Sequence, residues 1–278
     1  MPGATPNHGA ELTRPDRDRV GQGGRAVDIL APLLLLALAL GAWEVWVRID
    51  RTPRWFLPSP SAIARVLARD RILLIDNAWV TLREVLIGFA LAVVAGVAIA
   101  IVIDASRIVS RALYPIVIAS QAVPIVALAP LLLIWFGHGL LPKVIVTALI
   151  AFFPIAVNTV DGLRAADRET LDLLRTLGAD RWSRFRLVKL PGALPYLFSG
   201  ARIGIAVAVI GAVFGELVGA EAGLGHLMAL SSANLRTDRV FASVVVLSIM
   251  AVGLFALVGL AERVALPWRR HVAVSGDR

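Results

Sequence analysis

The 278-residue sequence contains no cysteine, only two tyrosines and only two lysines. Without cysteine it can form no disulfide, no zinc–cysteine site and no thiol nucleophile. A P-loop is also missing, because that motif needs a lysine after glycine, whereas Lys143 follows Pro142 and Lys189 follows Val188. Gly-x-Ser-x-Gly and His-Glu-x-x-His patterns are absent too. We therefore expect neither an enzyme nor a cofactor bound by this chain.

What the sequence does contain is apolar. Hydrophobic residues make up 58% of the chain and the mean hydropathy is +0.78, which is typical of a membrane protein. The net charge of +8 comes almost entirely from arginines that punctuate the apolar runs. That distribution follows the positive-inside bias of membrane proteins and does not indicate a nucleic-acid partner.

Six apolar runs are long enough to cross a membrane as helices. We predict an all-α polytopic protein with a disordered cytoplasmic tail over residues 1–25, a membrane domain over 26–265 and a second cytoplasmic tail over 266–278. The predicted spans are Ile29–Val47, Asn77–Ile103, Ala112–Phe136, Lys143–Val160, Leu194–Gly219 and Val240–Ala261.

The distribution of Lys and Arg orients these spans. Most basic residues fall on one side if both termini are cytoplasmic, and residues 161–193 then form a cytoplasmic loop. Ile63–Ile75 reads as an amphipathic helix on the outer surface. Small residues recur at every fourth position in the second and fifth spans. This spacing predicts either close helix packing within one subunit, or a surface that forms a dimer contact or the translocation path.

If this membrane protein moves a solute uphill, the energy must come from ions or from a partner, because the chain has no nucleotide-binding motif. The acids Glu44, Asp161 and Glu216 fall near predicted span ends, so the spans offer no evident proton relay. This favours an external energy source. A secondary carrier working alone, and a membrane-embedded enzyme or scaffold, are the alternatives.

The loop sequence LLRTLGADRWSRFRLVKLP, residues 173–191, predicts two short helices. Gly178 would end the first helix, Asp180 would cap the second, and Pro191 would halt it before the next span. The expected apolar positions are Leu173, Leu174 and Leu177 on the first helix, and Trp182, Phe185 and Val188 on the second. Such a segment is either a loop whose arginines lie among lipid head groups or an element that inserts into a cytoplasmic partner.

This loop resembles the EAA loop of membrane subunits of binding-protein-dependent ABC importers. In that family the motif reads E-A-A, three residues, G, nine residues, I, any residue, L-P. The corresponding residues here are Asp172, Leu173, Leu174, Gly178, Val188, Leu190 and Pro191, with the glycine and Leu-Pro in register.

Further stretches are similar to the nitrate/sulfonate/taurine-type branch of these permeases. They include LPSPSAI (57–63), PIVALAPLLLIWFGHGLLPKV (124–144), FFPIAVNTVDGLR (152–164), LPGALPYLFSGARI (190–203) and GELVGAEAGLGHLM (215–228). The last of these looks closest to members that import vitamin precursors such as hydroxymethylpyrimidine or riboflavin.

The resemblance implies a type I ABC importer permease in the inner (plasma) membrane. It would pair with a second permease copy, with cytoplasmic ATPase subunits that bind ATP-Mg, and with an extracytoplasmic solute-binding protein. The resemblance implies that the loop couples to the ATPase through Asp172, Leu174, Leu177, Gly178, Ala179, Asp180, Trp182, Phe185, Val188, Leu190 and Pro191. For the translocation path we expect Gln121, Pro124, Pro130 and Glu216.

Overall fold

The computed structural model describes residues 23–53 and 55–267, and all the regular structure in those residues is helical. The chain divides into two units after Thr52. The first contains helix α1, Gly23–Ile49, so this helix begins inside the tail predicted for residues 1–25. The rest of that tail lies outside the described residues, as does the predicted C-terminal tail from residue 268 onward.

The second unit contains the remaining ten α-helices of the described residues. They are α2 Pro60–Arg69, α3 Arg71–Ala105, α4 Arg107–Ala119, α5 Ile125–Phe136, α6 Leu140–Arg164, α7 Arg168–Thr176, α8 Arg181–Arg184, α9 Leu190–Leu217, α10 Leu224–Ala233 and α11 Thr237–Ala265. By length and composition, five helical segments of the described chain can cross a membrane, or six if the bent pair α4 and α5 counts as one span.

Helices α3, α6 and α9 form the centre of the second unit, and small residues allow them to pack closely. Gly88 and Gly96 of α3 lie against Thr147 and Ile155 of α6. A Cβ atom at Gly88 would lie 2.6 Å from the Thr147 side chain, so a larger residue does not fit. The small-residue stripe of the second predicted span therefore packs within one subunit, which is the first of the two readings above.

The third predicted span, Ala112–Phe136, is not one helix. Residues 107–122 and α5 form two helical segments bent by 92°, with a 3₁₀ turn at Ser120–Ala122 and Pro124 at the start of α5. Proline has no N–H to donate, and its ring collides with the carbonyl four residues earlier, so the helix stops there.

Two groups of contacts define the two ends of the bundle. We call the first the Lys189 end of the bundle. There Lys189 pairs with Asp104 in the last turn of α3, and Arg164, the last residue of α6, contacts Ser110 of α4. At the Glu216 end, Gly219 lies close to Leu133 of α5. The bent pair therefore leads from one end of the bundle to the other.

The predicted amphipathic helix Ile63–Ile75 is also divided. Helix α2 ends at Arg69, and α3 begins at Arg71. Asp70 between them accepts two hydrogen bonds from the Arg239 guanidinium, at 2.6 and 2.9 Å. This ion pair holds the junction against the start of α11, which explains why the long helix α3 starts several residues before the predicted span.

Candidate functional site

The loop between α6 and α9 turns at Gly178. Its φ angle is +81°, the Gly178 N–H donates to the carbonyl of Arg175 at 3.1 Å, and the Ala179 N–H donates to the carbonyl of Leu174 at 2.9 Å. This pair of bonds is a Schellman motif, which satisfies the last carbonyls of α7. The helix end that the sequence predicted at Gly178 is therefore present.

Two aspartates start the short helices on either side of this turn. Asp167 accepts the N–H groups of Glu169 and Thr170, and Asp180 accepts the Ser183 N–H at 3.0 Å. Hydrogen bonds from the hydroxyl and amide of Ser183 lower the pKa of Asp180, so this cap is charged at neutral pH. Both caps favour the helical turns that they begin.

Large apolar side chains surround the Gly178 turn and remain exposed. Leu177 is 73% exposed and Trp182 is 64% exposed. The Trp182 ring stacks on Phe185 at 5.6 Å, and Phe185 is half-buried against the core cluster formed by α3, α4, α6 and α9. We call this surface the turn patch, consisting of Leu173, Leu177, Gly178 and Trp182.

The other predicted coupling residues divide by exposure. Leu174, Ala179, Val188 and Pro191 are half-buried, whereas Asp172, Asp180 and Leu190 are exposed. The half-buried Leu174 and Phe185 face the chain itself, and the exposed Leu177 and Trp182 face away from it. The sequence alone left both possibilities open for these four residues.

Pro191 does not halt the second loop helix as predicted. Residues Arg181–Leu217 form one helical segment of 37 residues that contains a π-turn at Phe185–Lys189, where the Leu190 N–H donates to the Phe185 carbonyl. The wider turn lets the helix accommodate a proline, which lacks a donor and would clash in a regular α-turn. The turn patch is therefore joined to the membrane-crossing part of α9 by continuous helix.

Side-chain contacts tie this segment to neighbouring helices. Both carboxylate oxygens of Asp104 accept from the Lys189 ammonium at 2.8 Å. The Arg164 guanidinium donates to the Ser110 hydroxyl at 2.8 Å and lies 4.3 Å from the centre of the Tyr114 ring. A displacement of this segment would therefore reach α3 directly through Lys189, whereas α4 is tied to the end of α6 through Arg164.

A cavity of about 480 Å³ lies beside the break between α4 and α5. Its walls come from the 3₁₀ turn, the start of α5, the middle of α6 and α9. Gln121, one of the four residues predicted for the translocation path, is among its lining residues. Pro124 forms the helix break next to it, and Pro130 lies exposed within α5.

Glu216, the fourth expected path residue, belongs to a buried polar cluster at the other end of the bundle. Its carboxylate accepts from the Thr81 hydroxyl at 2.7 Å and from the Gly225 N–H at 2.6 Å. Thr81 in turn accepts the Leu224 N–H, and Asn77 accepts the Gly223 N–H. Side chains of α3 and α9 thus cap the start of α10, and Glu216 is not among the residues that line the cavity.

Sequence reasoning missed an ion pair in the same region. Lys143 donates to Glu84 at 2.8 Å, and their side chains are only 9% and 1% exposed. The two residues are separated by 59 positions, so no local pattern signals the pair. Among the described residues, no three His, Asp or Glu side chains converge as metal ligands would.

Comparisons with known proteins agree with this architecture. Residues 92–270 match the family model described as "Binding-protein-dependent transport system inner membrane component". The formylaminopyrimidine transport permease protein ThiX of Halalkalibacterium halodurans is 36% identical over 88% of this chain and 98% of its own length. The riboflavin transport system permease protein RibX of Chloroflexus aurantiacus is 39% identical over 84% of this chain and 88% of its own.

More distant relatives extend the comparison. The putative aliphatic sulfonates transport permease protein SsuC of Bacillus subtilis is 29% identical over 96% of each chain. A chain of the inward-facing MetNI methionine ABC transporter has a similar fold, with a TM-score of 0.62, 21% identity and coverage of 70% of this chain and 96% of that one. The chain therefore belongs to the binding-protein-dependent transport system inner membrane component family, as the permease subunit of an ABC importer.

Proposed function

We propose that two copies of this permease form the path of an importer for a small organic solute. In this assembly the turn patch docks into a groove of a cytoplasmic ATPase subunit, and ATP-Mg is bound by the ATPase rather than by this chain. A solute-binding protein delivers the solute at the Glu216 end. The observation that carries this proposal is the exposed apolar surface at Leu177 and Trp182 around an open Gly178 turn.

The energetics of exposure support a protein partner for the turn patch. Covering the exposed apolar surface of Leu177 and Trp182 with a partner would contribute about 25 cal/mol of stabilisation for each Å² removed from water. Five arginines flank the patch in sequence, at positions 168, 175, 181, 184 and 186, and they outnumber the four acids of the same segment, Asp167, Glu169, Asp172 and Asp180. An apolar centre with a basic rim fits a groove that is apolar inside and acidic at its edges.

The position of the turn patch also determines the proposed orientation of the permease in the membrane. If the turn patch contacts a cytoplasmic ATPase, the Lys189 end of the bundle is cytoplasmic and the Glu216 end faces the binding protein. Both termini are then cytoplasmic, in agreement with the excess of Lys and Arg on that side. The apolar outer surfaces of the spans face membrane lipids and the second permease copy.

The solute is proposed from the relatives. ThiX and RibX, both more than 35% identical, are named for a formylaminopyrimidine and for riboflavin, whereas the sulfonate relative is 29% identical. We favour a vitamin precursor of the pyrimidine or flavin type. Nitrate, sulfonate and taurine remain the competing substrates.

Because the chain contains no cysteine, single cysteines provide an unambiguous test of docking and orientation. A cysteine replacing Leu177 should react with a membrane-impermeant maleimide only from the cytoplasmic side, and the ATPase subunit should protect it. The matched control replaces the exposed Glu221 at the opposite end, which should react only from outside. Labelling of both positions from the same side would contradict the proposed topology.

Transport itself tests whether uptake depends on the proposed partners. Purified permease in liposomes should move no solute alone, and uptake should require the ATPase subunits, the binding protein and ATP. Uptake by the permease alone, driven by a proton or sodium gradient, would contradict the ABC importer proposal.

A further inference from the structure

The cavity beside the α4–α5 break has a distinctive chemistry. Eleven residues line it, and none of them carries a charge. Apolar side chains from α5, α6 and α9 form most of the wall, and the ring of Phe153 is among them. The polar lining residues are Ser120, whose hydroxyl donates to the Val117 carbonyl at 2.7 Å, and the amide residues Gln121 and Asn158. The lining therefore provides amide residues for a solute but no counter-ion.

Asn158 is held in a fixed position. Its Nδ2 donates to the Pro154 carbonyl at 2.7 Å. A Cβ atom at Gly200 of α9 would lie 2.9 Å from the Asn158 Cβ, so the α9 backbone packs directly against this residue. With one N–H committed, the amide still has its oxygen and its second N–H for a ligand. Such a group can pair with the donor–acceptor edge of an amide or an amidine.

The nearest basic residue along α9 is engaged elsewhere. Arg202 precedes the lining residue Ile203, but its guanidinium binds Glu262 at 2.7 Å and lies over the Phe255 ring. A sulfonate or nitrate in the cavity would lose its hydration without gaining an opposite charge, which is unfavourable in an apolar surrounding. An uncharged planar ring would lose little hydration and could stack on Phe153.

We propose that this cavity recognises an uncharged planar heterocycle through the amides of Asn158 and Gln121, and that it disfavours anionic solutes. This inference rests on the proposed importer function and specifies its solute class. The permease would then contribute to selectivity in addition to the binding protein, because a delivered anion would cross the uncharged segment slowly.

The test uses the complete transporter, with its ATPase and binding-protein partners, in proteoliposomes. Three probes are compared: a formylaminopyrimidine, riboflavin and ethanesulfonate. We expect ATP-driven uptake of at least one heterocycle and uptake of ethanesulfonate at least about 10-fold slower, a factor that corresponds to about 1.4 kcal/mol. Asn158→Leu and Gln121→Leu should each lower the maximal uptake rate of the heterocycle about 10-fold. The half-saturating concentration, set by the binding protein, should stay unchanged.

Controls separate recognition from folding and from the proposed function. Both variants should keep the wild-type thermal midpoint in detergent, and Gly253→Ala, at an open and exposed position of α11 outside the cavity, should keep wild-type uptake. Ethanesulfonate uptake as fast as heterocycle uptake, or unaltered heterocycle uptake in both variants, overturns this inference and leaves the importer function intact. Absence of ATP-driven uptake for every probe overturns the importer proposal and this inference with it.

Discussion

Removing the Lys143 ammonium should be among the most destabilising single changes in the protein. The Glu84 side chain is 1% exposed, its Oε1 accepts from Lys143 at 2.8 Å, and its Oε2 has no hydrogen-bond partner within the described residues. Lys143→Met would leave this carboxylate buried without an opposite charge. Breaking a buried ion pair from one side costs about 3–5 kcal/mol.

The double variant distinguishes the loss of a pair from the loss of packing. Glu84→Gln combined with Lys143→Met removes both charges and keeps similar side-chain volumes. We expect it to recover at least about 2 kcal/mol relative to Lys143→Met alone, since no uncompensated charge stays buried. The free energy of unfolding in mixed micelles, measured by titration with SDS, reports both values.

The other lysine of the chain provides the matched control. Lys189 also pairs with an acid, Asp104, but these side chains are 26% and 14% exposed. Water and salt screen this pair, so Lys189→Met should cost only about 1 kcal/mol. Equal effects of the two lysine substitutions, or a double variant as unstable as Lys143→Met, would refute this account of the buried cluster.

Three further predictions concern the loop and the α10 cap. Gly223→Ala should lower the free energy of unfolding by about 2–4 kcal/mol. The reasons are the φ angle of +119° and the new Cβ, which would lie 2.1 Å from a Glu216 carboxylate oxygen. The control Gly253→Ala has no neighbour among the described residues within 4 Å of the new Cβ, so it should change the free energy of unfolding by less than about 1 kcal/mol. Lys189→Met should reduce ATP-driven uptake more than it reduces ATP hydrolysis, because the link from the loop to α3 is lost, and similar losses in both rates would contradict this. The pKa of Asp180 is lowered from its ordinary value of 3.8, so the capping by its carboxylate is fully present above pH 3.8 and is lost as the pH falls through the lowered pKa. Amide hydrogen exchange at Ser183 should become faster over this pH range in the wild type, but not in Asp180→Asn, whose amide oxygen can still cap the helix. The same pH dependence in Asp180→Asn would show that the carboxylate is not its source.

Local sequence signals identified most of the helices and the loop turn. Long apolar runs predict membrane-crossing helices because a helix forms all of its backbone hydrogen bonds within the segment, as the lipid interior requires. Gly178 predicts a helix end because the residue after a helix often needs a positive φ angle, which glycine adopts easily. Asp180 predicts a helix start because its side chain can accept a hydrogen bond from the first free N–H groups of the next helix. Both features depend on neighbours in sequence, so a single chain reveals them.

Features that depend on distant residues were not predictable. The sequence indicates breaks at Pro115, Pro124 and Pro130 within the span Ala112–Phe136, but it does not show which of them divides the span. In the fold, Pro115 and Pro130 lie inside helices, and the division and the cavity are at Pro124. Lys143 and Glu84 come together only when α3 and α6 pack. The π-turn before Pro191 has no sequence pattern of its own, because it compensates for a proline that in isolation predicts a helix end.

Glu216 shows that a residue can stand out in the sequence while its contacts depend on the fold. A glutamate near the end of an apolar span suggests either a helix-end group or a lining residue of the path. The fold reveals a third arrangement, in which the carboxylate caps α10 from a neighbouring helix. The glycines around it at 223 and 225 are needed because their backbone lies directly against this carboxylate.

The central claim, that the turn patch couples this permease to an ATPase, is tested most directly at Gly178. Among the described residues, no atom other than those of its two chain neighbours lies within 4 Å of a Cβ placed there, and asparagine tolerates a positive φ. Gly178→Asn should therefore keep the turn and the thermal stability, and its new side chain would meet only a docked partner. Gly253→Ala, at another open position, serves as the control, because a methyl group is tolerated on the outer face of a membrane-crossing helix.

The measurement is ATP-driven uptake by the reconstituted transporter, with ATP hydrolysis recorded in the same vesicles. Gly178→Asn should lower uptake at least about 10-fold, equivalent to about 1.4 kcal/mol of lost coupling, while Gly253→Ala should stay at the wild-type rate. Wild-type uptake in Gly178→Asn would contradict docking at this turn.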